Sequence, residues 1–94
     1  MKQLLEMQRS MNEMKRQLEA TVFEVQSSDG LVKITMTGTQ QVQEASIQGD
    51  LSTTQKESLE KSIKDAYNRA NKRAQEVAAQ KMKDVTGFSL PGLT

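Results

Sequence analysis

The feature that most constrains the fold is a stretch over residues 24–48 whose apolar residues alternate with polar ones. Within it, Val32, Ile34 and Met36 fall on one side of residues 31–37, and mainly polar residues fall on the other. A two-residue period with one apolar side predicts a strand that is buried on one face. The segments before and after have helical periodicity, so the sequence predicts a small sheet between two helices.

The alternation and its turn residues predict three antiparallel strands, over residues 21–26, 31–37 and 42–48. Residues 27–30 and 37–39 contain the serine, threonine, aspartate and glycine that favour tight turns, so both connections are predicted to be hairpins. Val42 is out of phase with Ala45 and Ile47. Such a slip indicates a β-bulge in the third strand.

The first predicted helix, residues 1–20, has a narrow apolar seam. Its seam residues recur at steps of three and four: Leu4, Met7, Met11, Met14 and Leu18. A strict seam is typical of a helix that packs on one other helix, and this one is too short to be stable as a free coiled coil. We therefore interpret the seam as core packing within the chain rather than as an autonomous zipper or a membrane anchor.

The second predicted helix covers residues 53–86. Either Ser52 with Gln55 or Thr54 with Glu57 fits a capping box at its start, and Gly87 fits its end. Three strands leave the chain at the far end of the sheet, so this helix must fold back over the sheet and continue past its edge, antiparallel to the first helix. The predicted class is α+β, a single domain over residues 1–94 in α-β-β-β-α order with a two-helix arm and a tail over residues 87–94.

Composition excludes several classes of function. The 94 residues contain no cysteine and no histidine, which removes disulfides, thiolate or imidazole metal sites and histidine bases. We expect no enzyme activity, no cofactor, no metal and no small-molecule substrate. No apolar run approaches the length of a membrane span and no signal peptide is evident, so we expect a cytoplasmic protein without a membrane partner. A hydrophobic content of 35% is low for so small a domain, which favours a homodimer.

Charge is unevenly distributed along the chain. Residues 1–20, 21–54 and 55–94 carry +1, −3 and +3. A basic helical end favours an anionic partner, although the many oppositely charged residues four apart are equally typical of a solvated helix face. On charge alone we favour the solvated face.

Several segments resemble the YbaB/EbfC family of nucleoid-associated proteins. The most specific are Ala74-Gln75-Glu76, Lys81-Met82, Val85-Thr86-Gly87 and Leu90-Pro91-Gly92, with Gly30-Leu31-Val32-Lys33 in the first hairpin. The sequence departs from the family pattern at Ser28-Asp29, at Thr37 and at residues 48–50, which affects turns rather than architecture. The resemblance spans nearly the whole chain.

The resemblance implies a sheet-mediated homodimer with projecting helical arms that binds double-stranded DNA in the nucleoid with little sequence preference. The side chains expected to contact DNA are the basic residues of the two arm helices: Arg9, Lys15, Arg16, Arg69, Lys72, Arg73, Lys81 and Lys83. The alternative is a helical-arm chaperone or adaptor that does not bind DNA, since methionine-rich surfaces suit adaptable apolar contacts.

Overall fold

The structure is a computed structural model that describes the backbone of residues 2–86 and the side chains as far as Asp84. Its elements follow the predicted α-β-β-β-α order: α1 (Lys2–Ala20), β1 (Val22–Gln26), β2 (Val32–Thr37), β3 (Val42–Ile47) and α2 (Lys56–Thr86). The α+β class and the three antiparallel strands are thereby confirmed. The predicted cap at Gly87 and the tail over residues 87–94 lie outside the described residues.

The three strands form one antiparallel sheet in the order β1-β2-β3. Val25 pairs with Ile34, and Ile34 pairs with Ala45 on the other side. The register between β2 and β3 shifts by one residue next to Met36, which pairs with Val42. This confirms the predicted bulge and explains why Val42 is out of phase in the sequence.

The core lies between β2 and the middle of α2. Val32, Ile34 and Met36 are buried from the sheet, and they pack with buried alanines of the helix: Ala66, Ala70 and Ala74. Alanine has a small side chain, so α2 can approach the strand closely. Leu59 of α2 is partly buried and also packs against this cluster.

Helix α2 begins at Lys56, three residues after the predicted start. Asp50 organises the preceding turn: its carboxylate accepts hydrogen bonds from the Ser52 amide at 2.9 Å and from the Ser52 hydroxyl at 2.7 Å. The Thr54 hydroxyl donates to the Asp50 carbonyl at 2.8 Å, and the first helical bond is accepted by Gln55. Within the described residues, neither predicted capping box forms, because both hydroxyls bond to Asp50 instead.

Two carboxylates, those of Asp29 and Asp65, form hydrogen bonds that connect the turn between β1 and β2 to α2. Asp29 accepts hydrogen bonds from the Ser27 hydroxyl at 2.6 Å, from the Leu31 amide at 3.0 Å and from the Ser62 hydroxyl. These bonds, with that of Ser27 strongest, hold the pKa of the Asp29 carboxyl at about 2, well below its usual value. Asp65 makes the second attachment by accepting from the Ser28 amide at 2.7 Å.

Acid should weaken the Asp29 attachment. Because the folded pKa is lowered to about 2, ionised Asp29 stabilises the fold at every pH above its unfolded pKa of about 4, and this contribution disappears as the pH falls from about 4 to about 2. We expect Asp29→Asn to lower the denaturation midpoint at pH 7, with the difference from wild type shrinking toward pH 2. A pH series of urea melts measures this, and a difference independent of pH would contradict the assignment.

The seam of α1 is only partly covered, in contrast to the prediction that the whole seam is core packing within the chain. Helices α1 and α2 are in contact, and Leu18 is buried while Met14 is half-buried. Leu4, Met7 and Met11 remain 56%, 62% and 60% exposed. The covered end is the one anchored to the sheet, where the Gly38 amide donates to the Leu18 carbonyl at 3.0 Å.

Candidate nucleic-acid interface

The basic residues of α2 point away from the core because the alanine face of the helix is turned toward the sheet. Arg69, Lys72, Arg73 and Lys83 are exposed, whereas Lys81 is half-buried. The structure therefore presents four of the five predicted α2 cations to solvent.

Three of these cations surround a shallow open cleft between α2 and β1. Arg69, Lys72 and Arg73 line it together with Glu76, and Val25 of β1 forms part of its wall. β1 is an edge strand, so the cleft opens at the side of the sheet. The arrangement places three flexible positive side chains within one small region, which suits an extended anion better than an enclosed ligand.

Two of the three are ion-paired along the helix. The Arg69 Nε lies 3.1 Å from the Asp65 carboxylate, and an Arg73 guanidinium nitrogen lies 3.6 Å from the Glu76 carboxylate. Hydrogen bonds, first from the Ser28 amide and then from Arg69, lower the pKa of Asp65. All four side chains are at least 37% exposed, so these pairs contribute little and can exchange for a phosphate.

Lys72 differs from its two neighbours because it forms no ion pair with any described residue. Lys72 and Glu76 are four residues apart, a spacing that favours an ion pair, but Glu76 pairs with Arg73 instead. A lysine that is exposed and unpaired loses no existing contact when it meets a phosphate. Lys72 is therefore the cation of this cleft that is most directly available.

On α1, the basic residues Arg9, Lys15 and Arg16 are all exposed. Arg9 and Arg16 are seven residues apart and share one face, whereas Lys15 points about 100° away from Arg16. Arg16 bonds to Glu13 through its Nε at 3.0 Å, and this contact raises the pKa of Arg16 and lowers that of Glu13. The predicted α1 residues are thus distributed over more than one side of the helix.

Sequence reasoning missed the carboxylates that restrain the arginines. Asp65 and Glu76 each lie four residues from a cation, but this spacing does not show that Glu76 pairs with Arg73, which is three residues away. Many oppositely charged residues are four apart in the sequence. Among the described residues, Asp65 and Arg69 are the only two at this spacing that form an ion pair. Spacing could suggest which pairs are possible, but the choice depends on side-chain geometry.

The sequence over residues 1–89 matches the model of the YbaB/EbfC DNA-binding family, which is most of the chain and includes both arm helices. The chain belongs to the YbaB/EbfC family. Membership confirms the resemblance on which the DNA prediction rested, and it places the exposed cations of α1 and α2 in a DNA-binding family.

Two further observations apply to this YbaB/EbfC chain. Across residues 2–86, neither helix contains an apolar segment long enough to cross a membrane. In the same part of the chain, no group of acidic side chains is arranged to hold a metal ion.

Proposed function

We propose that the chain is a nucleoid-associated protein that binds duplex DNA as a homodimer, mainly through phosphate contacts and with little sequence preference. The observation that carries the proposal is the exposed group formed by Arg69, Lys72 and Arg73 in a chain of a DNA-binding family. Its location would be the cytoplasm, on the nucleoid, where it could influence nucleoid organisation and gene expression. No enzymatic step and no cofactor is part of this function.

Contacts to phosphate, rather than to bases, fit the character of the cations. Long, exposed side chains on a helix surface are suited to a repeating backbone charge, whereas base readout needs donors held in fixed positions in a groove. The aromatic residue of α2, Tyr67, is 43% exposed and lies on a different flank of the helix from Arg69. It has no aromatic neighbour on α2 with which to form a surface for stacking bases. Neither hydrogen bonding to base edges nor base stacking is therefore supported.

A dimer is supported by apolar residues on the side of β3 that faces the helix layer. Val42 and Ile47 pair with core residues of β2, yet they are 45% and 43% exposed because α2 packs over β1 and β2. Ile63 and Tyr67 of α2 are 46% and 43% exposed. We call these four residues the β3 flank.

The position of the β3 flank follows from the helix period. The face of α2 that contacts the core has two edges. At about 100° per residue, Ile63 and Tyr67 lie along one edge, and Arg69 and Arg73 lie along the other. The arginines lie beside β1, where they share a cleft with Val25. The apolar edge therefore lies toward β3, which is an edge strand of the sheet formed by the described residues. A second copy that covers this flank would bury apolar area and pair an open strand edge.

We expect sedimentation to give twice 10.5 kDa for the wild-type chain. Ile47→Asp should shift the mass to that of one chain, because an unpaired carboxylate would be buried in the interface. Ser46→Asp is the matched control, since Ser46 lies on the opposite face beside Lys33 and should leave the mass unchanged. A single-chain mass for the wild type at tens of micromolar would contradict the dimer.

The function itself is tested by mobility shifts on several unrelated duplexes of equal length. We expect similar retention of all of them at low salt, because every duplex presents the same phosphates. Retention of one sequence alone would contradict the absence of specificity.

The second candidate is the chaperone or adaptor, which is favoured by the exposed methionines of α1, Met7 and Met11. Absence of retention on every duplex, together with suppression of aggregation of a denatured client protein, would establish it instead of the DNA-binding function.

A further inference from the structure

The first half of α1 carries an apolar surface that the described side chains of the sheet and α2 leave exposed. Leu4, Met7 and Met11 are 56%, 62% and 60% exposed, and all three lie within the first three turns of the helix. We call these residues the arm strip. Large apolar side chains that form one continuous patch along a helix indicate an interaction surface, whereas single exposed apolar residues scattered over a surface do not.

The spacing of the arm strip specifies the shape of its partner. Leu4, Met7 and Met11 continue the three-and-four repeat that ends in Met14, which is half-buried, and Leu18, which is buried. A heptad seam fits a second helix that crosses at a small angle. The partner is therefore another helix with an apolar face.

We propose that the arm strip binds the arm strip of a second copy of the chain, so that arms of neighbouring dimers pair. Charge supports this choice over an unrelated helix. The residues that flank the seam in the exposed half are Gln3, Gln8 and Ser10, and none of them is charged. Two identical helices normally repel when their flanks carry like charges, and here that repulsion is absent in either orientation.

The arm strip and the predicted phosphate contacts occupy different sides of α1. At about 100° per residue, Arg9 points roughly 180° away from the centre of the strip formed by Leu4, Met7 and Met11. Arg16 lies on the same side as Arg9. An arm that holds a phosphate through these arginines consequently keeps its apolar strip free for a second arm.

Pairing of arms would connect dimers that are already bound to DNA, and this part of the inference rests on the proposed function. The exposed seam is short and rich in methionine, so a single contact is weak in dilute solution. Two dimers on one duplex, or on adjacent duplexes, have a high effective concentration for each other, and a weak contact then suffices. The expected consequence is cooperative binding or bridging of DNA.

The test compares wild type with the double variant Met7→Gln, Met11→Gln, which removes apolar area without changing charge or introducing a helix breaker. Circular dichroism first establishes that helix content is unchanged. We expect sedimentation of the wild type over a rising concentration series to show a four-chain species, and the variant to need at least about ten times more protein to form it. DNA affinity at the lowest protein concentrations should be equal for the two proteins.

Three results would overturn the proposal, and they differ from failure of the proposed function. A wild-type mass that stays at two chains at millimolar concentration shows that arms do not pair. An unchanged four-chain species in the variant shows that another surface joins the dimers. A fall from two chains to one in the variant shows that α1 forms the dimer itself, which would also contradict the β3 flank. Loss of DNA retention in both proteins would instead contradict the DNA proposal.

Discussion

Replacing Met36 by aspartate is expected to abolish folding or to lower the free energy of unfolding by about 3 to 5 kcal/mol. Met36 is completely buried, and it packs in the cluster that joins β2 to the alanines of α2. The described members of that cluster are all apolar, so an aspartate carboxylate would be desolvated among them without a partner. Because small domains are stable by about 5 to 15 kcal/mol, a loss of this size is a large fraction of the total.

The matched control for this prediction is Met36→Leu, which keeps an apolar side chain of similar volume and should cost less than about 1.5 kcal/mol. Urea denaturation followed by circular dichroism measures both variants against wild type. If Met36→Asp unfolds at nearly the wild-type midpoint, then α2 does not cover β2 in solution.

Lys72→Ala is expected to reduce the salt dependence of DNA binding more than any other single removal of a lysine from α2. Lys72 is exposed and unpaired among the described residues, so its charge is fully available to a phosphate. Each neutralised phosphate contributes about 0.9 to the slope of log affinity against log salt. One substitution removes two contacts from a dimer, so the slope should flatten by about 2 on every duplex.

Lys61→Ala is the matched control, because Lys61 is an exposed lysine on the same helix but lies beside the Asp29 turn rather than in the arginine cleft. It should leave the slope nearly unchanged. Equal effects of the two substitutions would mean that the whole face of α2 contributes only general charge. Weakening confined to one sequence would mean that Lys72 contacts a base.

Much of the fold could be predicted from the sequence because its patterns are local. The alternation of Val32, Ile34 and Met36 can be satisfied only by a strand with one buried side, and the phase slip at Val42 has a direct structural counterpart in the bulge. The alanines of α2 recur every four residues, a spacing of small side chains that favours a close approach to another element. In each case the information lies within a few neighbouring residues.

What could not be predicted depends on contacts between distant segments. The seam of α1 looks uniform in the sequence, but only Met14 and Leu18 are covered, because the helix is anchored at its sheet end. Helix α2 starts later than predicted because the hydroxyls of Ser52 and Thr54, which the sequence assigned to capping boxes, donate hydrogen bonds to Asp50. The β3 flank was also not evident, since its exposure depends on the path of α2 across the sheet.

The candidate interface, too, could be predicted from the sequence only in part. The basic residues of both helices could be named from sequence and family resemblance, whereas their partners could not. Arg69 and Arg73 are restrained by Asp65 and Glu76, and Lys72 is left unpaired among the described residues. These differences determine how much each cation should contribute to DNA binding. They follow from side-chain geometry and not from sequence spacing.

The salt dependence of DNA affinity for the wild-type chain tests the central claim most directly. A dimer that uses three or four cations per arm should give a straight line of log affinity against log salt with a slope of roughly −5 to −7. The same slope is expected on duplexes of unrelated sequence. A slope near zero, with affinity retained at high salt, would contradict the account, because the DNA would then be held by something other than its phosphates.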